Sequence, residues 1–284
     1  DPAKKYSLYI PASYNENNPN SAMLALHPLN TSRWDAQSWR DTLTTFAENN
    51  DLILICPDGG PDGRIDDPID TAFTTFLLDS MERAYNIDVD NIYVMGFSWG
   101  GRTTYTYGLS HIDRFAGLMP ICAAINGLNE VGGLVEEGKD HNIFIIHGQN
   151  DSPNSRFFPV RDALEEEEAC VWDTLMPNVG HTIDFPGRND LLTMGYDYLV
   201  NHQCGVSTNQ TDQNSNLWSP QNPWGVGWSM EVPDHVKIQS VCDLNGIKYE
   251  ADSPLIFETA GVYIIRYKTK WGRVGLAKLV VNTP

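Results

Sequence analysis

Short continuous apolar runs alternate with amphipathic stretches over the first two thirds of the chain. "YSLYIP" (6–11) and "AMLALHP" (22–28) read as strands and lead into a helical pattern over 38–50 that ends in Asn-Asn. "LILICP" (52–57) is the next strand, followed by a Gly/Pro/Asp loop and a second helical pattern over 71–86. "NIYVMG", a helix opening near Trp99, "FAGLMPI" (115–121), "IFIIHG" (143–148) and "CVWDTLM" continue the series. Strands that are apolar along their whole length, with helices between them, belong to a mostly parallel sheet covered on both faces. The fold class is therefore α/β up to about residue 204.

After Cys204 the pattern changes. Residues 205–225 are polar, rich in Asn, Ser and Pro and without periodicity, which reads as a linker or long loop. Short β-like pieces follow: "GWSMEV", "HVKIQSV", "GIKYE", "PLIFE", "GVYIIRYKTK" and "GRVGLAKLVVN". Turn residues separate them, so the expectation for 226–284 is a small antiparallel β-sandwich. Its last hairpin resembles that of bacterial immunoglobulin-like modules. The expected organisation is a catalytic domain over 1–204, a linker over 205–225 and an accessory β-domain over 226–284.

Charge and cysteines narrow the class. Nineteen basic against 37 acidic residues give a formal charge of −18. Nucleic acids and anionic membrane surfaces need a basic footprint, so neither is an expected partner. The longest apolar runs fall far short of the ~20 residues of a membrane span. The five cysteines (56, 122, 170, 204 and 242) show no C-x-x-C pair and no Cys/His ligand spacing, so no metal is expected. Cys56 and Cys122 sit in apolar contexts that suit buried thiols, and Cys170 with Cys204 is the disulfide pairing to test first. The chain opens on Asp1-Pro2 without a methionine, and its loops are rich in Asn, Thr and Ser. The expectations are a removed signal peptide and a secreted or periplasmic location.

The candidate chemistry centres on "MGFSWGG". Gly96-Phe97-Ser98-Trp99-Gly100 fits G-x-S-x-G, with an apolar strand before it and a helical pattern after it. Such a serine stands at a tight strand-to-helix turn where small flanking residues let strand and helix approach. A serine hydroxyl needs a base, and the base needs an orienting acid. In α/β-hydrolases these follow in the order Ser, acid, His. Asp151 lies just after the strand "IFIIHG", and His181 lies in the loop after "CVWDTLM". Ser98, Asp151 and His181 are therefore the expected catalytic residues. Asp173 inside a strand, Asp184 close behind the base, and His111, His141, His147 and His202 are weaker competitors. Oxyanion donors are expected from the Trp99 amide and from Leu29 or Asn30 after "AMLALHP". His27 braces that loop. Trp34, Trp39, Phe97 and Phe157, with Phe158 beside it, could line an aromatic acyl pocket, and core packing is the competing role for the tryptophans.

The set "YSLYIPASYN", "LALHPLN", "GFSWGG", "IIHGQND" and "VGH" resembles the secreted esterase family of feruloyl esterases, acetylxylan esterases and polyhydroxybutyrate depolymerase-like esterases, over roughly residues 5–203. The resemblance implies an α/β-hydrolase fold, Ser98, Asp151 and His181 as triad, and carboxylic ester hydrolysis without metal or organic cofactor. It departs from the family at His27-Pro28-Leu29-Asn30, where His-Gly is usual, and this leaves the first oxyanion donor open. The implied substrate is an ester attached to a polymer, feruloyl or acetyl groups on plant polysaccharide. A polyester hydrolase is the alternative, and a non-catalytic binding protein on a hydrolase scaffold is the alternative of another class. Trp218, Trp224, Trp228 and Trp271 could form a sugar-stacking surface or dock one domain on the other.

Overall fold

The computed structural model describes residues 4–31, 33–202 and 204, and beyond them 224–225, 229–230, 236–243, 248–249, 255–257, 259, 261–269 and 274–282. Two compact units divide the chain: residues 1–183 with 198–205, and residues 184–197 with 206–284. This differs from a single boundary at 204, because a stretch before that point groups with the second unit.

The first unit is built on a seven-stranded sheet of β1 (Tyr6–Tyr9), β2 (Asn20–Leu26), β3 (Ile53–Pro57), β4 (Ile87–Phe97), β5 (Gly117–Ile121), β6 (Asn142–Gly148) and β7 (Cys170–Met176), in the order β1-β3-β2-β4-β5-β6-β7. Only β1 runs antiparallel, against β3, and the rest pair in parallel. The central strands are buried along nearly their whole length, as Met23, Leu24, Ile55, Val94, Met119 and Phe144 show. Each such side chain contributes about 1.5–3 kcal/mol by leaving water. The chain steps from β2 out to β3, then returns to place β4 on the other side of β2. That reversal leaves a crevice beyond the strand ends, where open α/β sheets bind their ligands.

The helices are α1 (Ala36–Asn49), α2 (Pro68–Ala84), α3 (Trp99–Ser110), α4 (Pro153–Arg156), α5 (Phe158–Glu166) and α6 (Arg188–Asn201). Helix α1 begins at an Asp35 cap whose Oδ1 accepts the Ser38 amide at 2.8 Å, and the Ser38 hydroxyl oxygen accepts the Asp35 amide in return. A cap of this kind is worth about 1 kcal/mol. The Ser38 backbone bond also holds the Asp35 carboxyl below its ordinary value. Trp39, Leu43 and Phe46 form the buried stripe of α1. Helix α2 starts earlier than its periodicity predicts, because Asp67 caps it and Pro68 occupies its first turn. Cys170 and Cys204 form a disulfide, whereas Cys56 and Cys122 are buried free thiols. Among the described residues no helix is long and apolar enough to cross a membrane.

In the second unit, β10 (Val236–Asp243), β13 (Gly261–Thr269) and β14 (Val274–Asn282) form an antiparallel core, flanked by β11 (Lys248–Tyr249) and β8 (Trp224–Gly225). A short pair, β9 (Ser229–Met230) and β12 (Leu255–Ile256), makes a separate sheet. Tyr263, Ile265, Tyr267, Leu279 and Val281 are buried. The predicted linker differs at its end, where Trp224–Gly225 pair in parallel with β14. The rest of 205–225, with Trp218, Trp228 and Trp271, lies outside the described residues, as does the side chain of Trp224.

Candidate active site

The parallel register brings the carboxyl ends of the central strands level. Gly96 of β4 pairs with Leu26 of β2, and Phe97 pairs with Ile121 of β5. The next residue, Ser98, turns the chain from β4 into α3 with φ 57° and ψ −113°. A non-glycine residue held there stores about 1–3 kcal/mol of strain, which the surrounding close packing must sustain. A Cβ on Gly96 would lie 2.4 Å from the Gly100 carbonyl, and one on Gly100 would lie 2.0 Å from the Leu26 carbonyl oxygen. Helix α3 can therefore approach β2 only over glycine. Gly100→Ala is expected to destabilise the fold by about 3 kcal/mol or more, read as a lower midpoint in chemical denaturation, with esterase activity falling alongside. An unchanged midpoint would contradict this packing.

Ser98 Oγ lies 2.7 Å from His181 Nε2, and His181 Nδ1 lies 2.7 Å from Asp151 Oδ2. An ionised carboxylate only accepts, so Nδ1 carries the hydrogen and Nε2 is left to accept from the serine hydroxyl. Asp151 is buried, Ser98 half-buried and His181 exposed, with Phe97 stacked obliquely on the imidazole at 5.1 Å between centroids. The structure thus brings together the three residues expected from sequence, from the ends of β4, β6 and β7.

His147 does not take part in the relay. Its Nε2–H donates to the Asp151 carbonyl at 2.9 Å, and burial holds its imidazole below the ordinary value. Asp173 lies within β7 and faces Arg161 at 3.9 Å, and Asp184 is exposed with Arg188 at 3.4 Å. His111 stacks on Tyr107 and His202 on Tyr198, while His141 is exposed. Among the described histidines only His181 faces the serine.

The loop after β2 is stitched to the loop after β3. His27 Nδ1–H donates to the Pro28 carbonyl, and the Gly59 amide donates to His27 Nε2 at 2.9 Å. The Asn30 amide donates to the Gly63 carbonyl at 2.9 Å. This corrects the expectation for Asn30: its N–H is already committed. The Leu29 amide makes none of the loop and turn backbone bonds found among the described residues, and the Trp99 amide opens helix α3. The Trp99 indole is held on all sides. Its Nε1–H donates to Asp66 at 2.9 Å, Arg64 and Arg102 lie over its ring, and Arg102 pairs with Asp66.

The aromatic wall differs from the sequence expectation. Trp39 is 0% exposed and belongs to the core stripe of α1, edge-on to Trp34. Phe157 is 1% exposed and stacks on His147. Both are packing residues, since a fully buried ring presents no surface to a ligand. Trp34 and Phe158 are half-buried, and Phe97 is buried against the His181 imidazole.

Cys122, His147 and Asp151 place ligand atoms within 4.8 Å of one another, a set that could hold a cation. Each is already committed. Arg156 and His181 take the Asp151 oxygens, His147 donates to a carbonyl, and burial pushes the Cys122 thiol up to about 12. Sequence reasoning missed Arg156, although Pro153 marks the start of the short helix that carries it.

No model of a known protein family matches the chain. It is 30% identical over 151 residues to a bifunctional acetylxylan esterase/xylanase of Neocallimastix patriciarum, covering 51% of this chain and 21% of that protein. It is 28% identical over 156 residues to an Aspergillus niger protein named "Probable feruloyl esterase C", covering 52% and 55%. The chain therefore matches about a fifth and about half of these relatives' own lengths. A solved ferulic acid esterase superposes with a TM-score of 0.54 at 17% identity, covering 69% of this chain and 96% of that one. At that identity the likeness speaks for the fold. The chain thus has an α/β-hydrolase-like fold with the strained turn at its centre, and over about half its length it is similar in sequence to acetylxylan and feruloyl esterases.

Proposed function

We propose that the chain is a serine carboxylic ester hydrolase acting on feruloyl or acetyl esters of plant polysaccharides. The observation that carries this reading is the unbroken Ser98–His181–Asp151 relay, 2.7 Å at each step. Ser98 Oγ attacks the ester carbonyl while His181 Nε2 takes its proton. The tetrahedral oxyanion is met by the amides of Trp99 and Leu29, Asn30 being engaged elsewhere. Collapse expels the alcohol, which receives the proton from Nε2, and Asp151 stabilises the imidazolium throughout. Water then attacks the acyl-enzyme by the same route and releases the acid and free Ser98. No step draws on a metal or organic cofactor.

The half-buried Trp34 and Phe158 and the Phe97 ring beside His181 suit a flat cinnamoyl group, which favours feruloyl over acetyl. The test is a turnover panel of methyl ferulate, acetylated xylan, a polyhydroxyalkanoate film and p-nitrophenyl acetate. The expected result is kcat/KM on methyl ferulate above that on p-nitrophenyl acetate. Film degradation with negligible ferulate release would replace the substrate assignment by a polyester.

The same reading takes 1–204 as the catalytic domain and 226–284 as an accessory module of immunoglobulin type. The Tyr263 hydroxyl donates to the Thr259 carbonyl four residues upstream at 2.8 Å, the bond of the tyrosine corner in such sandwiches. The Cys170–Cys204 disulfide fits a secreted or periplasmic location, since such bonds persist in oxidising compartments.

A further inference from the structure

We propose that Arg156 is a positioning residue for the relay, acting through Asp151. This rests on the reading of Ser98, His181 and Asp151 as the catalytic set. The two carboxylate oxygens of Asp151 are divided between two partners. Oδ2 faces His181 Nδ1, while Oδ1 accepts Arg156 Nη1 at 2.8 Å. The Asp151 side chain is 4% exposed, so its charge needs a partner. Local structure supplies one. Ser152 adopts φ 51°, Pro153 opens α4, and the Arg156 amide donates back to the Ser152 carbonyl at 3.1 Å. That single turn folds the guanidinium back over the carboxylate. His147 fixes the backbone of the acid through its carbonyl, and Arg156 fixes the plane of its carboxylate. Without the guanidinium, Oδ1 loses its anchor and the carboxylate is free to rotate away from the imidazole.

Arg156 has a second effect, of electrostatic sign. Its Nη1 lies 3.4 Å from His181 Nδ1, which carries a hydrogen and cannot accept from it. The contact is therefore a cation placed beside the ring. The other groups around the imidazole are Asp151, the Ser98 hydroxyl, the neutral His147 of β6 and the protonated Cys122 thiol after β5. The Arg156 charge thus lies against the buried carboxylate as well as beside the ring, a charge that Arg156→Lys would keep and Arg156→Gln would remove.

The experiment uses the full chain with p-nitrophenyl acetate, comparing Arg156→Gln, Arg156→Lys and the wild type after circular dichroism has checked folding. Arg156→Gln is expected to lower kcat about 10–100-fold with KM within about twofold. Arg156→Lys, which keeps the charge and a donor, should recover part of the lost kcat. In an Asp151→Asn background Arg156→Gln should add almost nothing, because its route to the reaction is gone. If Arg156→Gln misfolds, Arg156→Met takes its place in the same comparison, and a wild-type kcat there would overturn the proposal. A folded Arg156→Gln enzyme with wild-type kcat would overturn it, as would an undiminished effect without Asp151. Ser98→Ala separates the two levels. An active Ser98→Ala enzyme removes the catalytic reading, whereas an inactive one beside a wild-type-like Arg156→Gln removes only the role of Arg156.

Discussion

Ser98→Ala is expected to lower kcat on p-nitrophenyl acetate by on the order of 10⁶, about 8 kcal/mol of barrier. The size follows from what is lost. In the proposed mechanism the hydroxyl is the group that forms the acyl bond, and without it His181 Nε2 has no serine proton to accept. Only the amides of Trp99 and Leu29 and simple binding remain, and water must attack from bulk. Folding should be unaffected, because alanine takes the same backbone turn as serine and the close packing rests on Gly96 and Gly100. A fluorophosphonate probe should label the wild type at Ser98 and leave the variant unmodified. Labelling at another serine, or turnover that survives the substitution, would remove Ser98 from the reaction.

Asp151→Asn is expected to cost about 10³–10⁴ in kcat while leaving KM close to the wild type. The buried carboxylate accepts from His181 Nδ1 at 2.7 Å and thereby keeps Nε2 free as the base. An amide can turn its NH₂ towards Nδ1 and reverse the tautomer, so that Nε2 carries the hydrogen and cannot take another from serine. It also cannot balance the imidazolium. Asp184→Asn and Asp173→Asn serve as controls and should change kcat by less than about twofold, since their carboxylates pair with Arg188 and Arg161. A damaging Asp184→Asn beside a mild Asp151→Asn would mean that the acid has been assigned to the wrong carboxylate.

The sheet and the order Ser98, Asp151, His181 were legible in the chain because they rest on local signals. Apolar runs report strands buried on both faces, and a serine between glycines reports the turn. The aromatic wall was not legible in the same way. Trp39 and Phe157 stand near the site in sequence, but nearness does not say which way a ring points. For Trp39 a signal did exist: with Leu43 and Phe46 it keeps the spacing of a buried helix stripe. The commitment of the Asn30 amide was beyond reach, since Gly63 is distant in sequence and the bond exists only once the two loops meet. Arg156 falls between these cases. Reading Pro153 as a helix start places Arg156 one turn past the acid, yet only the folded turn reveals that its guanidinium meets Oδ1.

The disulfide between Cys170 and Cys204 spans a sequence separation of 34 residues, and His181 lies between the two cysteines. His181 is thus carried on a covalently closed ring, whereas Ser98 and Asp151 lie on the open chain before it. A single cut by a protease in the exposed turn around Pro177 and Asn178 would leave both fragments joined. The nicked protein would run as one species on a non-reducing gel and divide only when a reductant is added. An oxidising environment therefore guards His181 against loss from the molecule, a protection that no hydrogen bond in the site could supply.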